Sequence, residues 1–142
     1  MTGTSRGAIL RRAIETCIRP DDGAIARLGE LFSDDATVWS PNLLAVGLTD
    51  LAENLTLRET TFSDVDIQID ALDVFANKGF AEFRVTATFS GPLVIGKEAA
   101  IEPNGRKLLL GAAAIADFEG GKIKALRAYF DDATLLEQML TA

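Results

Sequence analysis

The sequence predicts an α+β protein in which a curved, mainly antiparallel sheet carries its helices on one face. Apolar residues recur at helical spacing before Ser63, alternate with period two after it, and return to helical spacing at the C-terminus. The strand signals follow one another through short turns, as antiparallel neighbours do, and the helices stand apart from them in the chain.

Ser5 to Arg19 set Ile9, Ala13, Ile14, Cys17 and Ile18 on one stripe, which predicts a first helix. Cys17 belongs to that stripe and reads as a small buried apolar group rather than a reactive thiol. Pro20 ends this helix, and Asp21 or Asp22 can cap a second, Gly23 to Phe32, that buries Ile25, Leu28, Leu31 and Phe32. "DDATVWSP" is a short strand stopped by Pro41, and "GLTDLAENLTL" is a short third helix with Thr49 as its cap. In "VDIQIDALDVF", Val65, Ile67 and Ile69 oppose Asp66, Gln68 and Asp70. Asn77-Lys78-Gly79 signals a hairpin turn into "FAEFRVTATF", where Glu82, Arg84, Thr86 and Thr88 oppose Phe83, Val85, Ala87 and Phe89. "PNGRK" leads into a nearly continuous apolar strand, Leu108 to Phe118, expected to be covered on both faces. "EGGK" turns into the last strand, Ile123 to Phe130, and a final helix carries Leu135, Leu136, Met139 and Leu140. A sheet folded around helices in this way leaves a concave, mainly apolar cavity.

With 142 residues, 48% of them hydrophobic and 25% charged, one domain spanning residues 1–142 is expected. A net charge of −7 argues against nucleic-acid and anionic-membrane partners, which require a basic face. The longest apolar run, Leu108 to Ala116, is too short to cross a bilayer, and Arg11 and Arg12 interrupt any signal-peptide core. A cytoplasmic location is therefore expected. One cysteine allows neither an internal disulfide nor a cysteine-type zinc cluster. The absence of histidine removes Ser-His-Asp and Cys-His catalysis and histidine-based metal sites. No cofactor or metal is expected, and acid/base chemistry falls to carboxylates, Lys, Tyr or bound water.

The segments "LFSDDATVWSP", "NGRK" and "FEGGKIKALRAYFDDATLLEQML" resemble the SnoaL-like branch of the NTF2-like superfamily, the last block being similar to the limonene-epoxide-hydrolase group. The resemblance runs from about Ala24 to Leu140. It implies an NTF2-like (cystatin-like) cone, a cavity for a small organic molecule, and a homodimer formed through the outer sheet face. The fold hosts isomerases, cyclases, dehydratases, hydrolases and plain binding proteins, so it does not fix the chemistry. Epoxide hydrolases of the group hold a water with a Tyr and an Asn two residues apart before Met-Pro. Thr37 and Trp39 of "TVWSP" take those places. Their Arg-x-Asp pair matches Arg84-Val85-Thr86, and the Asp of their last strand matches Ala128. Epoxide opening needs one group to activate water and another to protonate the departing oxygen. Thr86 and Ala128 supply neither, so epoxide hydrolysis is not expected.

The same match turns Ala128 into the cavity together with Leu126 and Phe130, because side chains alternate along a strand. Asp131 then falls at the rim, where it can cap the last helix, and Asp132 shares the parity of Ala128. Capping is the favoured role of both aspartates; the resemblance to SnoaL-like cyclases, which use an Asp near this strand end, implies an acid/base role instead. Trp39 either offers a flat wall to a ring-shaped ligand or fills core. Arg84 either stands in the cavity, where it needs Glu82, an aspartate of "VDIQID" or a ligand carboxylate, or makes a salt bridge at the sheet edge. Asp50 and Glu53 belong to a solvated helix face. Tyr129 and the small-residue strand Leu110 to Ala116 suit a subunit contact. The candidate catalytic set is thus Asp131, Asp132 and Arg84, with Thr37, Trp39, Thr86, Leu126, Ala128 and Phe130 as ligand contacts. A small apolar or acidic organic molecule is the expected ligand. The function is either cofactor-independent proton transfer, as in an isomerase, cyclase, dehydratase or hydrolase, or non-catalytic binding by a dimeric module. A protein-interaction module is a third reading.

Overall fold

The computed structural model describes residues 5–94 and 99–141. Its first helix, α1 (Arg6–Ile18), begins where the Ser5 hydroxyl accepts the Ala8 N–H, and it buries Ile9, Leu10, Ala13 and Ile14. Such a cap contributes about 1 kcal/mol. In α2 (Ala24–Leu31) the buried stripe is Ala24, Leu28 and Leu31, which leaves Ile25 exposed, contrary to the expectation from sequence. Its N-cap is Gly23 rather than an aspartate; the Asp21 carboxylate accepts the Gly23 N–H and pairs with Arg27.

β1 (Phe32–Ser40) and β2 (Leu43–Val46) form a hairpin, the second strand of which carries no strong sequence signal. Gly47, at φ 86°, then caps α3 (Leu48–Arg58) in place of Thr49. The Asp50 carboxylate reaches back to accept the Val46 N–H, which ties the helix to the hairpin. β3 (Phe62–Phe75) and β4 (Lys78–Phe89) pair along their length, and their turn is Ala76–Asn77, one step earlier than the sequence suggests. Gly79 is in the strand for a packing reason: a Cβ there would stand 2.9 Å from Leu10 and 3.1 Å from Phe118. A side chain at this point would force Leu10 of α1 and Phe118 to shift.

β5 (Leu93–Val94) and β6 (Ala100–Ile101) make a separate short pair, and β7 (Lys107–Glu119), β8 (Lys122–Phe130) and α4 (Asp132–Leu140) complete the chain. The main sheet has the order β2-β1-β8-β7-β4-β3, antiparallel at every step except β1 beside β8. The α+β architecture expected from the sequence is therefore present. No described helix is long and apolar enough to cross a membrane.

Side-chain parity assigns the two faces. On β7, Leu108, Ala114, Ala116 and Phe118 are buried inward, whereas Leu109 and Gly111 face out and are exposed. This strand is covered on one face only, not on both. A large core joins α1, α2 and α3 to the sheet around Leu10, Leu28, Phe32, Leu51 and Ile123. A smaller cluster of Phe89, Leu108 and Met139 closes the other end. Residues of both clusters form the walls of one hollow between them.

On the outer face Asp117 accepts hydrogen bonds from Lys78 and, at 2.8 Å, from Arg127. These two cations hold its carboxyl down to about 2. A depressed carboxyl stabilises the fold at pH above its unfolded value of 3.8 and loses that contribution as pH falls toward 2. Asp117→Asn should therefore cost about 1 kcal/mol in urea denaturation at pH 6, and the gap from wild type should close by pH 2. A gap that does not change with pH would contradict this assignment.

Candidate functional site

The hollow is a cavity of about 650 Å³ with mainly apolar walls. That volume lies within the range of small-molecule sites. Small side chains make the room: Ala112 and Ala114 of β7, Ala128 of β8 and Ala87 of β4 all line it. Leu126 and Phe130 flank Ala128 in the wall, as the parity of β8 predicts. A bulge near Ala125 puts both Ile123 and Leu126 in the interior and sends Lys124 to solvent.

Polar groups gather where α3, the β1–β2 turn and the start of α4 meet. Asp132 is the first residue of α4, and Leu135, Leu136 and Met139, at i+3, i+4 and i+7, line the cavity with it. Its Oδ1 accepts a hydrogen bond from Asn42 Nδ2 at 3.3 Å, and its Oδ2 has no partner among the described residues. Asn42 is held from the other side. Its Oδ1 accepts the Ser40 hydroxyl at 3.0 Å and Arg58 Nη2 at 3.4 Å, and its main-chain carbonyl accepts Arg58 Nη2 at 2.9 Å. Both donors fix the amide with its oxygen toward Arg58 and its nitrogen toward Asp132. Arg58 ends α3 on the stripe of buried Leu51 and Leu55, at i+7 and i+3 from them. Burial draws its pKa below the ordinary guanidinium value, and the negative charge of Asp132 opposes that shift. Cys17 also lines the cavity. Burial pushes its thiol up to about 12, so it stays protonated and acts as wall, as its place in the helical stripe predicts.

The structure divides the aspartate pair. Asp131 is the N-cap of α4: its Oδ1 accepts the Thr134 N–H at 3.1 Å and its Oδ2 the Thr134 hydroxyl at 2.7 Å. Those bonds hold its carboxyl below the usual range, and it is exposed and absent from the cavity wall. Asp131 caps the helix. By seating the first turn it turns Asp132 inward.

Several candidates from the sequence lie elsewhere. Arg84 is exposed on the outer face, where its Nε and Nη2 each donate to Asp70 at 2.9 Å. The partner is an aspartate of "VDIQID", and the pair is the salt bridge of the second reading. Thr86 shares that face and is not in the cavity wall. On β1 the inward positions belong to Val38 and Ser40, so Thr37 and Trp39 point outward. Trp39 borders the cavity, but its ring packs on Tyr129 with centroids 5.3 Å apart. The family match assigned these positions by motif, one residue off the true inward parity. Of the nine candidates, Asp132, Leu126, Ala128 and Phe130 are brought together in the cavity wall, with Trp39 at its border; Arg58 and Asn42 carry no such expectation from the sequence.

A carboxylate with one oxygen anchored and the other unengaged among the described residues, with a guanidinium across Asn42 and apolar walls around it, can take up and return a proton. The positive charge can offset negative charge that builds on a bound molecule.

The sequence profile of the SnoaL-like polyketide cyclase family matches residues 8–139. The chain belongs to this family. No curated protein matches it. Among solved structures, a SnoaL-like protein from Jannaschia sp. CCS1 superposes with a TM-score of 0.83 at 12% identity, over 100% of this chain and 99% of that one. TsrD from Streptomyces laurentii gives 0.74 at 18% identity, over 99% and 100%. A protein from Catenulispora acidiphila with a ketosteroid isomerase-like fold, in complex with trimethylamine, gives 0.71 at 14% identity, over 92% and 91%. At these identities the likeness is one of fold. This SnoaL-like protein has the NTF2-like architecture, with the cavity on the concave side of its sheet.

Proposed function

We propose that this SnoaL-like protein binds a small, largely apolar organic molecule in the cavity and catalyses a cofactor-independent proton transfer on it, as an isomerase or cyclase does. The observation that carries this reading is Asp132: a half-buried carboxylate in an apolar wall, one oxygen held by Asn42 and the other unengaged among the described residues. Glu59 also lines the cavity but is exposed at its mouth.

In this reading Asp132 removes a proton from a carbon next to a carbonyl, and the C–H electron pair moves onto the carbonyl oxygen as an enolate. Arg58, across Asn42, offsets the new negative charge. In an isomerase the proton returns to a different carbon. In a cyclase the enolate carbon attacks a second carbonyl of the same molecule, a C–C bond forms, and the proton goes to the resulting alkoxide.

Proton NMR in D₂O tests this with a panel of enolisable aryl ketones and aromatic β-keto esters. At least one should exchange its α-proton faster with protein than without, in a saturable way. Binding of panel members with no acceleration of exchange in any of them would identify a non-catalytic binding module instead.

The outer face supports a homodimer as part of the same proposal. Cross-strand neighbours Leu44, Trp39, Arg127, Ile115 and Phe80 form a row across the sheet, and Leu44, Trp39 and Phe80 are exposed large apolar side chains in it. Sedimentation should give twice the 15.2 kDa chain mass; a 15.2 kDa species at micromolar concentration would contradict the dimer.

A further inference from the structure

We propose that the cavity selects ligands that carry a carboxylate on a flat apolar body, and that Arg58 is the selecting group; this rests on the small-molecule reading above. Among the described residues the half-buried arginines are Arg6, Arg27, Arg58 and Arg127. Arg27 and Arg127 pair with Asp21 and Asp117, each at 2.8 Å. Arg6 donates to the carbonyls of Ala76 and Gly120 and lies over the Phe118 ring. Arg58 differs from all of these. It donates through Nη2 alone, to Asn42, and has no carboxylate within 4.0 Å among the described residues.

Its Nε and Nη1 have no hydrogen-bond acceptor among the described residues, and no fully buried side-chain nitrogen or oxygen lacks a partner. Those donors are therefore reachable by a bound molecule. Asp132 does not satisfy them. Asn42 stands between the two charges, with its nitrogen toward the carboxylate and its oxygen toward the guanidinium. A guanidinium presents a planar fork of donors that a carboxylate meets with two oxygens, and such charge-assisted bonds are the strong ones. Burial removes part of this cation's hydration, the Asp132 charge offsets that only in part, and a ligand that supplies an anion to the open donors gains a charge-assisted pair. Two further charged residues line the cavity, Arg19 and Glu59, but both are exposed and Arg19 donates to the Val65 carbonyl at 3.2 Å; the wall with Ala112, Ala114, Leu126 and Ala128 is apolar and suits an aromatic or alicyclic body.

Fluorescence titration at pH 7 with anthracene-2-carboxylate and its neutral isostere anthracene-2-carboxamide tests the inference. The wild-type protein should bind the acid about tenfold or more tightly than the amide. Arg58→Gln should bring the acid-to-amide affinity ratio close to one. Arg58→Lys should keep part of it, because the charge remains and the fork is lost. Equal wild-type affinity for the two probes, or a preference that survives in Arg58→Gln, would overturn the inference and leave the pocket reading standing. Failure of both probes to bind would overturn the pocket reading and this inference with it. Should Arg58→Gln fail to fold, the wild-type ratio and the Arg58→Lys variant decide the matter.

Discussion

Asp132→Asn should lower the protein-catalysed α-proton exchange rate by between about a hundredfold and ten-thousandfold, the range that general-base groups supply. The substitution is nearly isosteric. Its side-chain oxygen can still accept the Asn42 Nδ2 hydrogen bond, so the polar chain from Ser40 and Arg58 through Asn42 stays connected. What is lost is the basic oxygen. Half-saturation by the substrate should accordingly change little while the maximal rate collapses. The neighbouring substitution is the control: Asp131→Asn keeps the helix cap, for which Asn and Asp serve equally well, and should leave exchange near the wild-type rate. Exchange undiminished in Asp132→Asn would remove Asp132 from the chemistry.

Ala128→Trp should reduce ligand affinity at least about a hundredfold and leave the protein folded. The alanine lies in β8 with its side chain in the cavity, opposite Ala114 across the β7–β8 ladder. An indole there occupies the hollow that a ligand would fill, gaining contacts with walls that otherwise face empty space. Ala116 offers the contrast. It lies on the same inner face of β7 but is completely buried in the core with Leu10 of α1 and Phe118, and it is not part of the cavity wall. Ala116→Trp should therefore destabilise by about 3 kcal/mol or more through overpacking. Urea denaturation separates the two cases. Equal destabilisation at positions 128 and 116 would mean that the space beside Ala128 is already filled.

Much of this arrangement is legible in the chain, and the parts that are not have physical causes. The helix and strand periods are carried by long segments with one buried face, so α1, β3, β4, β7, β8 and α4 can be read directly. β2, β5 and β6 are short and lie at edges or in a separate pair, where no face is consistently buried and alternation carries little information. Arg84 could have been placed from its own strand. It alternates with Phe83, Val85, Ala87 and Phe89, and the apolar set is the one that faces inward. The polar residues of the cavity are a different case. Arg58 occupies the leucine stripe of α3, and Asp132 the leucine and methionine stripe of α4, so each is a charge at a helical position that packing reserves for an apolar side chain. That mismatch is readable. Asn42 has no such signal, since it lies in a turn and its role depends on two helix ends that only the folded chain brings together.

The most direct test of the account is methyl NMR on protein labelled at alanine and methionine methyl groups, titrated with anthracene-2-carboxylate. The methyls of Ala112, Ala114, Ala128 and Met139 line the cavity, whereas Ala113 lies on the outer face of the same strand as Ala112 and Ala114. Binding in the cavity predicts saturable shifts at the first set and none at Ala113. Shifts centred on Ala113, with Ala128 and Met139 unmoved, would place the ligand on the outer sheet and contradict the account.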